Sequence, residues 1–225
     1  MDGLGLQFRR KVLNMYEFVP KKEYMPIRNE LEGIIKKVQK LLKEMDSDQT
    51  FQFKLIGSGG RHLITRIKDG NVGYDFDYNL IMNSNFTWKP TVRNDFFKAF
   101  QETIKGTRFN KIENSTSVIT IKEVSKKQSR VIVSCDFSIV YYPEDDDSGY
   151  YKYSRYNKEQ NNYSWEIRNV SRFNDDKLQW LQDNYNGVWE IIKKEYLKLK
   201  ENDKQDKHSF ILYHEAINNV FNQIK

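Results

Sequence analysis

The chain has 225 residues and a formal net charge of +6, with 38% hydrophobic, 14% aromatic and 30% charged residues. Its fourteen Tyr and fourteen Phe supply apolar surface for a packed core, which excludes a disordered chain. One cysteine excludes an intrachain disulfide, three histidines without close spacing argue against zinc, and no window is apolar enough to span a membrane. Met1-Asp-Gly-Leu-Gly lacks the basic and apolar runs of a signal peptide, so a cytoplasmic protein is expected. The basic balance suits phosphate-rich ligands, although a Lys/Asn-rich composition explains it equally well.

The first clear element is an amphipathic helix over 24–46. Ile27, Leu31, Ile34, Ile35, Val38, Leu41, Leu42 and Met45 recur at three- and four-residue steps, and Asp46-Ser-Asp-Gln ends it. An apolar strand follows and delivers the turn Gly57-Ser58-Gly59-Gly60-Arg61. A turn this rich in glycine lets backbone N–H groups approach a phosphate, Ser58 adds a hydroxyl, and Arg61 balances charge on a terminal phosphate. Alone, such a turn is an ordinary flexible loop. His62 follows it as a further candidate for substrate contact.

The next strand runs Tyr74-Asp-Phe-Asp-Tyr-Asn-Leu-Ile-Met82. Side chains two apart on a strand share a face, so Asp75 and Asp77 point one way with Asn79. Tyr74, Phe76, Tyr78 and Leu80 point the other way, into a core. Two adjacent carboxylates repel, and a divalent cation removes that cost. On its own, an Asp-x-Asp pair is also compatible with a solvated strand face.

Pro90 and Thr91 open a helix over 91–105, with Val92, Phe96, Phe100 and Ile104 inward and Gly106 as its stop. Residues 116–124 pair with 130–142 through the turn 125–129 as a hairpin. On its second arm Val131, Val133, Cys135, Phe137 and Ile139 form an apolar face that places Cys135 in the core. Asp136 lies on the opposite face, between Ser134 and Ser138, where an acid needs a partner and is placed to share metals with Asp75 and Asp77. Beyond it come an acidic run, Glu144–Asp147, and a segment holding Tyr150, Tyr151, Tyr153, Tyr156 and Tyr163. Those tyrosines fit either base stacking or an edge hairpin packed on the core. Leu178, Leu181, Tyr185, Val188, Ile192, Tyr196 and Leu199 mark one helix, and Ser209 caps another. Lys193, Lys194, Lys198, Lys200, Lys204 and Lys207 give this end a basic cast.

A Gly-Ser turn, an Asp-x-Asp strand and a later strand with a single acid resemble the nucleotidyltransferase superfamily, the polymerase-beta-like fold, over residues 51–142. The long preceding helix resembles the spine helix of the oligoadenylate-synthase-like and bacterial cyclic-oligonucleotide-synthase branches. The resemblance implies an α/β (α+β) chain with a mixed sheet. Residues 1–145 would be the catalytic core with its N-terminal helix, and 146–225 a hairpin, linker and C-terminal helical lobe. Gly57, Ser58, Gly59, Gly60 and Arg61 would hold a nucleoside triphosphate. Asp75, Asp77 and Asp136 would bind Mg²⁺, with Mn²⁺ as a substitute, and Asp136 would help activate an acceptor hydroxyl. The implied reaction moves a nucleoside monophosphate from the triphosphate to a hydroxyl and releases pyrophosphate, and two metals stabilise both the attacking and leaving oxygens in such a transfer. The acceptor is left open among a nucleotide, an RNA end, a small molecule and a protein. A non-catalytic nucleotide- or nucleic-acid-binding module and a defence or toxin–antitoxin component are the alternatives. One departure stands out. Seventeen positions separate Ser58 from Asp75, more than is usual in the family, and Thr65–Gly73 reads as an extra turn.

Overall fold

The computed structural model describes residues 15–45, 50–68, 70, 72–83, 91–143, 150–157, 162–169 and 174–225. The helix stop at 46–49, Pro90 and the acidic run 144–147 lie outside them. The long amphipathic helix runs Lys21–Met45 (α1), three residues earlier than its apolar stripe suggests. Its buried stripe is Tyr24, Ile27, Leu31, Ile34, Ile35, Val38 and Leu42. Gln39 Nε2 donates to the Phe51 carbonyl at 2.7 Å and ties the helix to the strand that follows.

Among the described residues a seven-stranded mixed sheet forms the centre. Phe51–Ile56 (β2) pairs antiparallel with Val72–Met82 (β4), and β4 pairs parallel with Arg130–Tyr141 (β7). Ile119–Ser125 (β6) and Lys111–Asn114 (β5) continue antiparallel from β7. A hairpin of Tyr150–Asn157 (β8) and Asn162–Asn169 (β9) joins the C-terminal end of β7 through Val140 and Tyr141. The edge-hairpin reading of the tyrosine segment is the one observed. Tyr153 is buried, and Tyr156 packs at a tilt against Tyr163 with centroids 5.1 Å apart.

α1 and Val92–Thr103 (α3) cover one face of the sheet. Tyr74, Phe76, Tyr78 and Leu80 of β4 and Val133, Cys135, Phe137 and Ile139 of β7 enter this core at 4% exposure or less. Phe100 stacks on Phe137 at 4.3 Å. Each such side chain contributes about 2 kcal/mol on burial, so the alternation of these two strands fixes which face stays open. Residues 57–60 form a single helical turn (α2).

The long gap before Asp75 holds a strand as well as a turn. Thr65–Ile67 (β3) pairs antiparallel with Tyr16–Phe18 (β1) in a separate two-stranded ribbon. Three-residue strands leave no periodicity to read, which is why both went unforeseen. The single helix expected over 178–199 is two helices, Asp175–Asn184 (α4) and Val188–Asn202 (α5). Gly187, at φ +76°, turns the chain between them. Apolar spacing stays at three and four residues across the break, so it carries no sign of it. Ser209–Ile224 (α6) completes a helical lobe with its own core of Leu181, Val188, Ile192, Tyr196, Leu212 and Ile217. Among the described residues no helix is long and apolar enough to cross a membrane.

Arg93 joins the pieces of the sheet. It is fully buried, and Nε, Nη2 and Nη1 donate to Asn114 Oδ1 (3.0 Å), the Ser115 carbonyl (3.0 Å) and the Ser154 carbonyl (3.3 Å). Burial pulls its pKa down to about 10, against the opposing influence of Tyr163, so it stays charged at neutral pH. Arg93→Ala removes three hydrogen bonds, leaves the buried Ser154 carbonyl without this donor and opens a cavity, and is expected to cost roughly 3 kcal/mol in urea denaturation.

Candidate active site

The open sheet face carries the acids. Asp75 and Asp77 project from β4 opposite its aromatic face. In the parallel ladder Asp77 stands directly beside Asp136 of β7, and directly opposed residues share a face. Asn79 shares that face but is buried, with Nδ2 donating to Tyr142 Oη at 3.4 Å. The β2–β4 ladder ends with Ile56 opposite Asp77. The next residue, Gly57, therefore leaves the sheet at the carboxylate. A Cβ placed on Gly57 would lie 2.4 Å from Asp77 Oδ2, and its φ of +61° is left-handed. Glycine is required there on both counts.

The three acids act on one another. Burial first, then Asp75, then Asp136 push the Asp77 carboxyl up to about 7. Burial also raises Asp136, while a 2.6 Å hydrogen bond from Thr120 Oγ1 to Asp136 Oδ1 opposes the rise. Among the described residues no three His, Cys, Asp or Glu side chains close into a metal cage by themselves. Magnesium sites usually use one or two carboxylates completed by waters and substrate phosphates, so this donor set fits Mg²⁺ as a partial shell.

A cavity of about 690 Å³ lies between this face and the helical lobe. Gly57, Ser58, Arg61, Asp75 and Asp77 line it from the core, Arg168 from β9, and Tyr196, Lys200, Ser209 and Tyr213 from the helical lobe. Asp136 is one strand further in and does not line it. Arg61 is engaged across the cleft. Nη1 donates to the Gly57 carbonyl at 3.0 Å, and the guanidinium lies over Tyr213 (4.7 Å) and Phe210 (5.5 Å). Gly59 and Gly60 back the turn against Leu55 instead of lining the cavity. His62 is exposed, outside the cavity, with Nδ1 3.0 Å from Tyr24 Oη.

Lys200 is the principal cleft residue that sequence reasoning passed over. Its Nζ donates to Thr65 Oγ1 at 2.8 Å, between the rings of Tyr16 (5.0 Å) and Tyr196 (5.5 Å). Burial lowers its pKa, and the charge on Asp75 works the other way. The run of lysines in α5 hides it, because tertiary packing alone singles out the one that turns inward. Lys193 and Lys198 instead pair with Glu190 and Glu195 on their own helix.

No family model and no curated protein sequence matches the chain. Solved structures do. GTP-bound DncV of Vibrio cholerae superposes with a TM-score of 0.54 at 15% identity, over 84% of this chain and 52% of that one. The chain has the nucleotidyltransferase fold. The CD-NTase CdnG of Bradyrhizobium diazoefficiens, in complex with GTP, superposes at 0.56 and 10% identity, over 92% of this chain and 68% of that one. CdnC of E. coli MS115-1 with ATP superposes at 0.51 and 13%, over 92% and 63%. This nucleotidyltransferase-fold chain thus spans about half the length of the V. cholerae protein.

The raised Asp77 pKa has a stability consequence in metal-free buffer. A carboxyl whose pKa is higher folded than unfolded binds its proton more tightly in the folded state, so stability falls as pH rises through roughly 4 to 7. Asp77→Asn removes that loss. Thermal melts in chelator are expected to show the variant more stable than wild type by about 2 kcal/mol at pH 8, with the difference vanishing near pH 4.

Proposed function

We propose that this protein is a Mg²⁺-dependent nucleotidyltransferase that moves a nucleoside monophosphate from an NTP to a hydroxyl acceptor and releases pyrophosphate. The observation that carries this is the convergence of the Gly57–Gly60 turn on Asp77, beside Asp75 at the floor of a cleft with basic walls, with Asp136 one strand further in. The fold shared with GTP- and ATP-bound proteins supports a purine triphosphate as the first donor to test.

Each side chain has a part. Asp75 and Asp77 would hold the metal. Bound Mg²⁺ supplies charge stabilisation on the phosphoryl oxygens. Ser58 and the backbone of the Gly57 turn take phosphate oxygens from one side, and Lys200 takes them from the other. The N-terminus of α6, where Ser209 and Phe210 line the cleft, adds an anion-compatible end. Asp136 is held at Oδ1 by Thr120, which leaves Oδ2 to accept the proton of the acceptor hydroxyl. The acceptor oxygen then bonds to the α-phosphorus as the bond to pyrophosphate breaks.

The test is incubation with each labelled NTP and Mg²⁺ or Mn²⁺, read as pyrophosphate release and labelled product. Asp75→Asn and Asp77→Asn are expected to lose activity at least about 100-fold. A non-catalytic nucleotide-binding module would show NTP binding without turnover in every metal.

Two further outcomes separate the walls of the cleft. Ser58→Ala is expected to weaken all four NTPs by the same factor in thermal-shift titration, because the turn meets phosphates and carries no base information. Lys200→Met is expected to raise KM for NTP about tenfold with a smaller change in kcat. Base choice is assigned to Phe210 and Tyr213 on the helical wall. Tyr153 is ill placed for it, buried beneath the Arg168 guanidinium at 4.5 Å.

A further inference from the structure

A second cavity lies at the N-terminal end of β4, roofed by the β1–β3 ribbon, whose β3 strand occupies the long gap between Ser58 and Asp75. Its volume is about 230 Å³, and Glu17, Glu23, Arg66, Tyr74 and Arg130 are among the residues lining it. Its acceptors are already committed. Arg66 bridges Glu17 at 2.7 Å and also pairs with Glu23. Its donors are not. No salt bridge joins Arg130 to a carboxylate among the described residues. Nη1 of Arg130 reaches the Gly70 carbonyl only at 3.5 Å, and its Nε is buried with no acceptor. Tyr74 is 4% exposed, and its hydroxyl is likewise buried without a partner.

Buried donors are almost always matched, and an unmatched one costs roughly 1–3 kcal/mol. Here one cationic donor and one hydroxyl line the same small cavity, while Arg66 pairs with both carboxylates beside them, so the two arginines of the lining balance its two glutamates. We propose that this cavity is a binding site for a small oxyanion, the carboxylate or phosphate group of a small molecule, gripped by Arg130 Nε and Tyr74 Oη. It shares no lining residue with the cleft, so it does not depend on the catalytic reading.

The test is ¹H–¹⁵N observation of arginine Nε–Hε groups in the full chain during titration with inorganic phosphate and, separately, with succinate. The Arg130 signal, assigned by its loss in Arg130→Gln, is expected to shift saturably with at least one of the two. Whichever probe binds more tightly identifies the group. Tyr74→Phe keeps the ring and is expected to weaken that probe about tenfold. Ser58→Ala, which alters only the cleft, is expected to leave the titration unchanged. As a reading independent of the arginine resonance, the backbone amide of Gly73, which lines the cavity, should shift in wild type and not in Arg130→Gln. A linear or absent response to both anions overturns the site and assigns the two donors to buried water. An unchanged affinity in Tyr74→Phe overturns it too.

Discussion

The parallel pairing of β4 with β7 places like charges side by side, and much of the molecule follows from containing that repulsion. Asp77 faces Asp136 across one hydrogen-bonded ladder, with Asp75 two residues away on the same face. Such a cluster is unfavourable in a partly buried setting. The opposite face of the same strands offsets it, where four aromatic or aliphatic residues of β4 and four apolar residues of β7 pack under α1 and α3. The strands cannot rotate their acids away without exposing that core.

The surrounding polar groups are disposed to the same end. Thr120 ties one oxygen of Asp136. Lys200 and Arg61 both line the cleft, and each is held by partners other than the acids. Lys200 is moored to Thr65 between two tyrosine rings, and Arg61 rests on Tyr213 and Phe210. Cations parked beside a negative cluster, and not neutralising it, leave room for a ligand that brings its own positive and negative charge.

Much of this was legible in the sequence because long strands and helices repeat their pattern. β4 alternates aromatic and acidic residues over the five positions Tyr74–Tyr78, and β7 alternates apolar and polar ones, so the face of every acid follows from parity. The α1 stripe is equally plain. Legibility ended where tertiary contact decides. Asn79 reads as a partner of the acids by parity, yet Tyr142 covers it. Arg61 reads as a free phosphate ligand, yet the aromatic rings of α6 hold it. Lys200 is one lysine among many until its helix docks. The Gly187 break is silent because the apolar spacing carries on through it. β5 was unforeseen because four residues of mixed character show neither period.

Leu63 and Ile64 are neighbours in the chain but belong to different cores. Leu63 is sealed among α4, α5 and α6, and Ile64 packs with the sheet and α1. Leu63 also donates its N–H to the Ser58 carbonyl at 2.8 Å, so the glycine turn is braced by a residue whose own place is set by helices more than a hundred residues downstream. During synthesis, at a rate on the order of ten residues per second, about 15 s pass between translation of this turn and of α6. Late in that interval, once β9 is made, the sheet has all its strands, while Leu63 is bare and the turn unbraced. The nascent chain thus carries a half-built cleft with an exposed leucine at its lip. This is the state in which a chaperone would find it, and the one in which the cleft has no second wall.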